Sequence, residues 1–172
     1  QVQQKLANID GHLRIQKYYQ ESNSNITSTE YTDLDSILRN IPEINFVHPY
    51  IEKKGMIRKG DISEGSLIYG ISVDGIKDVF HLDEYLVAGR VDNINPFEII
   101  LGQNLAEKLN VDIGANIFLF DLEKMVIDNI ITARKYTVSG IIKTGFEEYD
   151  KLLAFTFIDN IQELFGMNEE YS

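Results

Sequence analysis

The chain has 172 residues, 44% of them hydrophobic and 10% aromatic, which is enough for one domain or two small lobes with a packed core. Its 27 acidic and 16 basic residues give a formal charge of −11, which repels phosphate backbones and argues against a nucleic-acid partner. The absence of cysteine excludes disulfides, thiolate catalysis and cysteine-ligated metals, and no run reaches the ~18 apolar residues of a membrane-spanning helix.

Residues 1–9 are compatible with a short amphipathic helix, broken by Asp10-Gly11. Residues 12–19 alternate, with Leu13 and Ile15 on one face, and predict a strand; residues 21–29 are polar and predict a loop. A helix is expected from Thr32 or Asp33 as cap, with Leu34, Ile37, Leu38 and Ile41 as its stripe and Pro42 as its stop. Strands follow at 46–51, from Gly55, and at 66–73, with Asp74-Gly75 as a turn. Residues 79–89 are irregular. Residues 96–101 lead into the clearest helix, 103–110, carrying Leu105 and Leu109 four apart. Strands are then predicted at 117–120, 136–142 and 153–158, and a last helix at 160–165, capped by Asp159 and stopped by Gly166.

Catalytic signals are weak. His12, His48 and His81 are far apart and in no metal-binding frame, so no metal or other cofactor is expected. Glu147, Glu148 and Asp150 are the most tempting acids, the basis of an acidic-hydrolase alternative, yet nothing marks a partner acid across a cleft. Phosphate-binding glycine loops and the nucleophile-elbow motif are missing. Lys53, Lys54, Arg58 and Lys59 form the one basic cluster, which fits a solvated hairpin or a face for an acidic partner or lipid headgroups.

Residues 121–135 are the most informative segment. Leu122, Met125, Val126 and Ile130 fit a helical stripe, while Met125-Val126-Ile127 and Ile130-Ile131-Thr132 read as strands joined by Asp128-Asn129. The flanking strands favour the hairpin. Met125, Val126, Ile127, Asp128, Asn129, Ile130 and Ile131 then form an apolar tip, the candidate partner-binding site; folding back onto the core is the alternative.

The run from Ile99 to Leu119 contains Leu101-Gly102, Leu105-Ala106 and Leu109, then Val111 and Gly114. It resembles a segment of the periplasmic domains of MacB-like and FtsX-like ABC permeases, and more narrowly of the lipoprotein-releasing LolC/LolE branch. Gly11 to Ile15, Val47 to Ile51, Gly70-Ile71, Val138 to Gly145 and Glu148-Tyr149-Asp150 match in the same order, over nearly the whole chain. Ala115 stands where the family has Asp, and residues 121–135 lack the proline of the family's hook.

The resemblance implies an α+β, two-lobed MacB-like periplasmic core domain. Residues 1–75 with 146–172 would form a discontinuous porter-like βαβ lobe, with 1–9 as a stalk, and 76–145 an inserted mixed α/β, sabre-like lobe carrying hairpin 121–135. It implies a fragment of an inner-membrane permease whose domain faces the periplasm. ATP hydrolysis would lie in a separate cytoplasmic subunit, beside a partner permease. The domain itself would be non-catalytic, coupling motion to release of a lipoprotein cargo and handover to a periplasmic lipoprotein carrier at the hook-like hairpin. An efflux or mechanotransmission permease docking a periplasmic adaptor is the alternative.

Overall fold

The computed structural model describes residues 13–16, 25–92 and 94–172. The expected helix at 1–9 and most of the expected strand at 12–19 lie outside these residues; residues 13–16 have no regular structure.

Helix α1, Ser28–Leu38, starts earlier than its apolar stripe suggests. Thr27 is the cap: its hydroxyl accepts from the Glu30 N–H at 3.3 Å, and the Glu30 carboxylate accepts from the Thr27 N–H at 3.0 Å. This reciprocal capping box satisfies two end donors, so Thr32 and Asp33 become interior residues. The expected stripe is only partly used. Leu34 and Leu38 are half-buried, whereas Ile37 and Ile41 are exposed.

The two strands expected between residues 46 and 58 are one strand, β2, Tyr50–Lys59, and residues 46–49 remain unpaired. β2 turns at Gly60-Asp61 into β3, Ile62–Ile71, a ten-residue antiparallel pairing from Tyr50↔Ile71 to Lys59↔Ile62. Gly55 is continuous with the strand because β2 is squeezed there: a Cβ would strike the Ile68 side chain and sit 3.0 Å from the Phe120 carbonyl oxygen. Asp74-Gly75 is not a turn but the first part of α2, Val73–Asp78, whose cap Ser72 accepts from the Gly75 N–H at 3.1 Å.

A single 3₁₀ turn, Leu82–Tyr85, precedes β4, Leu86–Gly89. The next unit follows expectation: β5 is Glu98–Gly102 and α3 is Gln103–Leu109, closed by Asn110 in the left-handed region. β6, Asn116–Asp121, pairs antiparallel with β7, Ala133–Ile142. A short α4, Glu147–Asp150, precedes β8, Leu153–Phe157, and α5, Ile158–Phe165. α5 stops at Gly166 as expected, but Asp159 lies in its first turn and Phe157 holds the cap position. Two short strands, β1, Ile26–Thr27, and β9, Glu170–Tyr171, pair with each other.

The large sheet has the order β4-β7-β5-β8-β3-β2-β6, and β6 pairs back onto β7. Six strands therefore form a closed circuit, with β4 as an extra strand on β7. β3–β8 and β5–β7 are parallel; the other pairings are antiparallel. The expected lobes, 1–75 with 146–172 and 76–145, thus contribute strands to one hydrogen-bonded sheet.

Alternation assigns side chains to two faces. Ile68, Ile99, Leu101, Leu119 and Val138 pack with Leu105 and Leu109 of α3 and with Ile161 and Leu164 of α5. Tyr69, Ile71, Ile100, Ile142 and Phe155 pack with Ile76, Phe80 and Leu82. Burial on both faces explains why Ile99-Ile100-Leu101 is continuously apolar.

Candidate functional site: the apolar tip between β6 and β7

The β6–β7 ladder runs from Asn116↔Thr137 to Phe120↔Ala133, and the Asp121 N–H donates to the Thr132 carbonyl at 3.1 Å. Continued in step, this register would leave Val126 and Ile127 as the two turn residues. A two-residue hairpin turn needs φ > 0, which β-branched residues resist. An Asp128-Asn129 turn would sit two residues further along, out of step with the ladder. The chain resolves the conflict by turning helical.

Leu122 and Glu123 continue into one π-helical turn, Lys124–Asp128. Asn129 ends it at φ 55°, ψ 31°. The buried Asp121 carboxylate accepts from the Lys124 N–H at 3.0 Å, and the Ile130 N–H donates to the Lys124 carbonyl at 3.1 Å. The expected hairpin strands at 125–127 and 130–132 are corrected accordingly: the helical periodicity of Leu122, Met125 and Val126 prevails over the turn signal.

The expected apolar tip is nevertheless present. Val126, Ile127, Ile130 and Ile131 are 75%, 72%, 55% and 74% exposed, and none folds back onto the core. Met125 is half-buried, and Asp128 and Asn129 are exposed beside it. The base of the tip is held to α5. Arg134 makes a two-pronged ion pair with Glu163, with Nη1 2.7 Å from Oε2, and its guanidinium lies 5.3 Å from the Phe97 ring centroid. The Arg134 hydrogen bond and charge hold the Glu163 carboxyl below its ordinary pKa. The Lys124 ammonium rests over Gly166, at the α5 C-terminus, where carbonyl ends attract a cation. Four aliphatic side chains are thus presented to solvent on a base held by these contacts.

The acids do not assemble into a catalytic pair. Asp150 is buried and accepts from the Thr144 N–H and hydroxyl, both at 2.8 Å, closing the loop between β7 and α4. Glu147 and Glu148 are exposed and pair with Lys151 at 3.0 and 3.1 Å. The backbone of Asp150 packs so closely on Gly102 that no Cβ fits there, which explains the glycine of the Leu101-Gly102 block. The sequence carries no local sign of this contact, which joins residues far apart in the chain.

His48 joins Asp78 through Nε2 at 2.9 Å and approaches the Ser72 hydroxyl through Nδ1 at 3.4 Å. This serine–histidine–aspartate chain was also unseen in the sequence. Its serine is occupied as the α2 cap, so the chain fastens residues 46–49 to both ends of α2. His81 starts the 3₁₀ turn, and His12 lies outside the described residues. Among the described residues no three metal-binding side chains cluster. Within the basic cluster, Arg58 donates to the Gly60 carbonyl at 2.7 Å and Lys59 to the Asn116 carbonyl at 3.0 Å.

Comparisons with known proteins give the family of this fold. The MacB-like periplasmic core domain family matches residues 1–167, and the chain belongs to that family. The lipoprotein-releasing system transmembrane protein LolC of Neisseria meningitidis serogroup B is 28% identical over 148 residues, covering 84% of this chain and 36% of the relative. LolC of Xylella fastidiosa is 27% identical over 131 residues, covering 74% of this chain and 32% of the relative. The chain spans about a third of the length of these relatives. In structure it is similar to the extracellular domain of the noncanonic ABC-type transporter YknZ from Gram-positive bacteria, with a TM-score of 0.59 at 16% identity, over 86% of this chain and 70% of that one. The periplasmic region of MacB from Actinobacillus actinomycetemcomitans also gives a TM-score of 0.59, at 13% identity, over 89% of this chain and 65% of that one. The α+β fold class and the MacB-like kinship expected from the residues are borne out. No helix among the described residues is long and apolar enough to cross a membrane.

Proposed function

We propose that this chain is the periplasmic domain of an inner-membrane ABC permease of the lipoprotein-releasing kind, and that its β6–β7 tip docks a periplasmic lipoprotein carrier. The ATPase is a separate cytoplasmic subunit, and a partner permease completes the transporter. The domain couples motion of the membrane helices to handover of a lipoprotein and performs no bond chemistry of its own. Family membership and the LolC names of its relatives support the transporter part of this reading.

The observation that carries the docking role is the exposure of Val126, Ile127, Ile130 and Ile131 on a base fixed by Asp121 and the Arg134–Glu163 pair. Aliphatic anchors already held in position lose little freedom on binding. Titrating the chain with the same organism's lipoprotein carrier tests it. Wild type is expected to bind, and Ile127→Asp with Ile130→Asp to weaken binding at least thirtyfold, the effect of losing about 2 kcal/mol at a hot spot. Equal binding by the double variant would sink the docking role.

A further inference from the structure

One face of the large sheet carries a charge opposite to that of the whole chain. The layer of Ile76, Phe80 and Leu82 covers this face at β3, β8 and β5. It continues over β2, β6 and the first half of β7, where its side chains meet solvent. Register sets them in rows: Arg58 stands opposite Phe118, and Phe118 opposite Lys135. In the next row Met56 stands opposite Phe120, with Lys54 two residues along β2. Phe118 is 47% exposed between its two cations. Met56 and Phe120 are half-buried, and Lys54, Arg58 and Lys135 are exposed.

The chain has 27 acidic residues, yet none falls within 54–58, 116–120 or 133–137. Among the described residues none of the three cations makes an ion pair. Arg58 gives one N–H to the Gly60 carbonyl at 2.7 Å, which leaves its charge uncompensated. The face is therefore complementary to an anionic surface. Composition decides which kind. Lysine is depleted where proteins meet proteins, and two of the three cations are lysines. Long basic side chains around a partly exposed ring suit a headgroup layer instead. Their stems lie along apolar surface, their charges meet phosphates, and the ring enters the boundary with the acyl chains.

We propose that the β2–β6–β7 face rests on an anionic bilayer, with Lys54, Arg58 and Lys135 against lipid phosphates and Phe118 at the edge of the acyl region. This contact is separate from the tip and does not depend on its docking of a carrier.

The test is co-sedimentation of the 172-residue chain with vesicles of phosphatidylcholine, alone or mixed with phosphatidylglycerol, at low salt. Binding to the mixed vesicles alone is expected, falling as salt rises. Lys54→Glu, Arg58→Glu and Lys135→Glu together are expected to weaken it about a hundredfold or more. Their thermal midpoint should hold, because all three residues are exposed. Lys77→Glu, Lys108→Glu and Lys151→Glu together change the net charge equally and are expected to retain most of the binding. Equal binding to pure phosphatidylcholine, or equal losses in the two triple variants, overturns the proposal. Absence of binding to the mixed vesicles also overturns it and leaves an acidic protein as the counterpart. Ile127→Asp with Ile130→Asp is expected to sediment like wild type, so failure of carrier docking and failure of bilayer contact are read separately.

Discussion

Tyr136 stands on β7 with its ring fully buried and its hydroxyl without a hydrogen-bond partner among the described residues. Burial pushes its pKa up to about 12, against a smaller lowering by Arg134 and together with a smaller push from Glu163. The folded chain therefore keeps this proton above the unfolded value of about 10. Stability contributed below that pH is lost as pH rises through the window from about 10 to about 12. Tyr136→Phe removes an unsatisfied polar atom from the core. It is expected to leave stability at pH 7 unchanged or raise it by up to about 1 kcal/mol, and to flatten the alkaline decline. Urea unfolding of both forms at pH 8 and near pH 11 checks both statements. The Asp150 carboxylate, by contrast, has its hydrogen-bond partners: it receives two donors from Thr144. Asp150→Ala should cost about 1–3 kcal/mol in the same assay. The sequence placed Asp150 among candidate acids but carried no sign of its burial, which depends on α4 docking its backbone against Gly102.

At the scale of elements, what was legible depended on whether the deciding contacts were local. Helix α3 and the Gly166 stop of α5 follow from nearby residues, and both are present as expected. The start of α1 is also local, in the capping box Thr27-x-x-Glu30, which lies ahead of the apolar stripe that suggests a later start. The tip is different. Its residues allow a hairpin or a helical turn, and the choice is made by the register of β6 on β7, which no local pattern reveals. That register makes the conformation testable. Val126→Asn with Ile127→Gly puts a favourable type I′ pair where the ladder needs its turn. The variant is expected to zip into a continuous hairpin, with NMR contacts between residues 122 and 131 across the new strands. Persistence of helical contacts from Lys124 to Asp128 would contradict the register argument.

For the whole molecule, the sequence carried most strands of the large sheet but little of their order, and β4 lies in the stretch 79–89 that reads as irregular. β3 lies beside β8 in parallel, Leu67 opposite Leu153, and β6 closes the circuit between β2 and β7. These pairings join distant parts of the chain through complementary apolar faces, a property of the assembled sheet and not of any one segment. The result is a frame to which the base of the tip is tied, through the pairing of Arg134 on β7 with Glu163 on α5. Under the proposed function, transmission of motion from membrane helices to a docked carrier would draw on that attachment.

The most direct test is photo-crosslinking in the full-length permease within membranes, with the lipoprotein carrier present. A benzophenone amino acid replacing Ile127 is expected to capture the carrier, while the same group replacing Phe118, an exposed residue of β6 away from the tip, is expected not to. Capture at Ile127 alone supports the account; no capture there, or equal capture at Phe118, contradicts it.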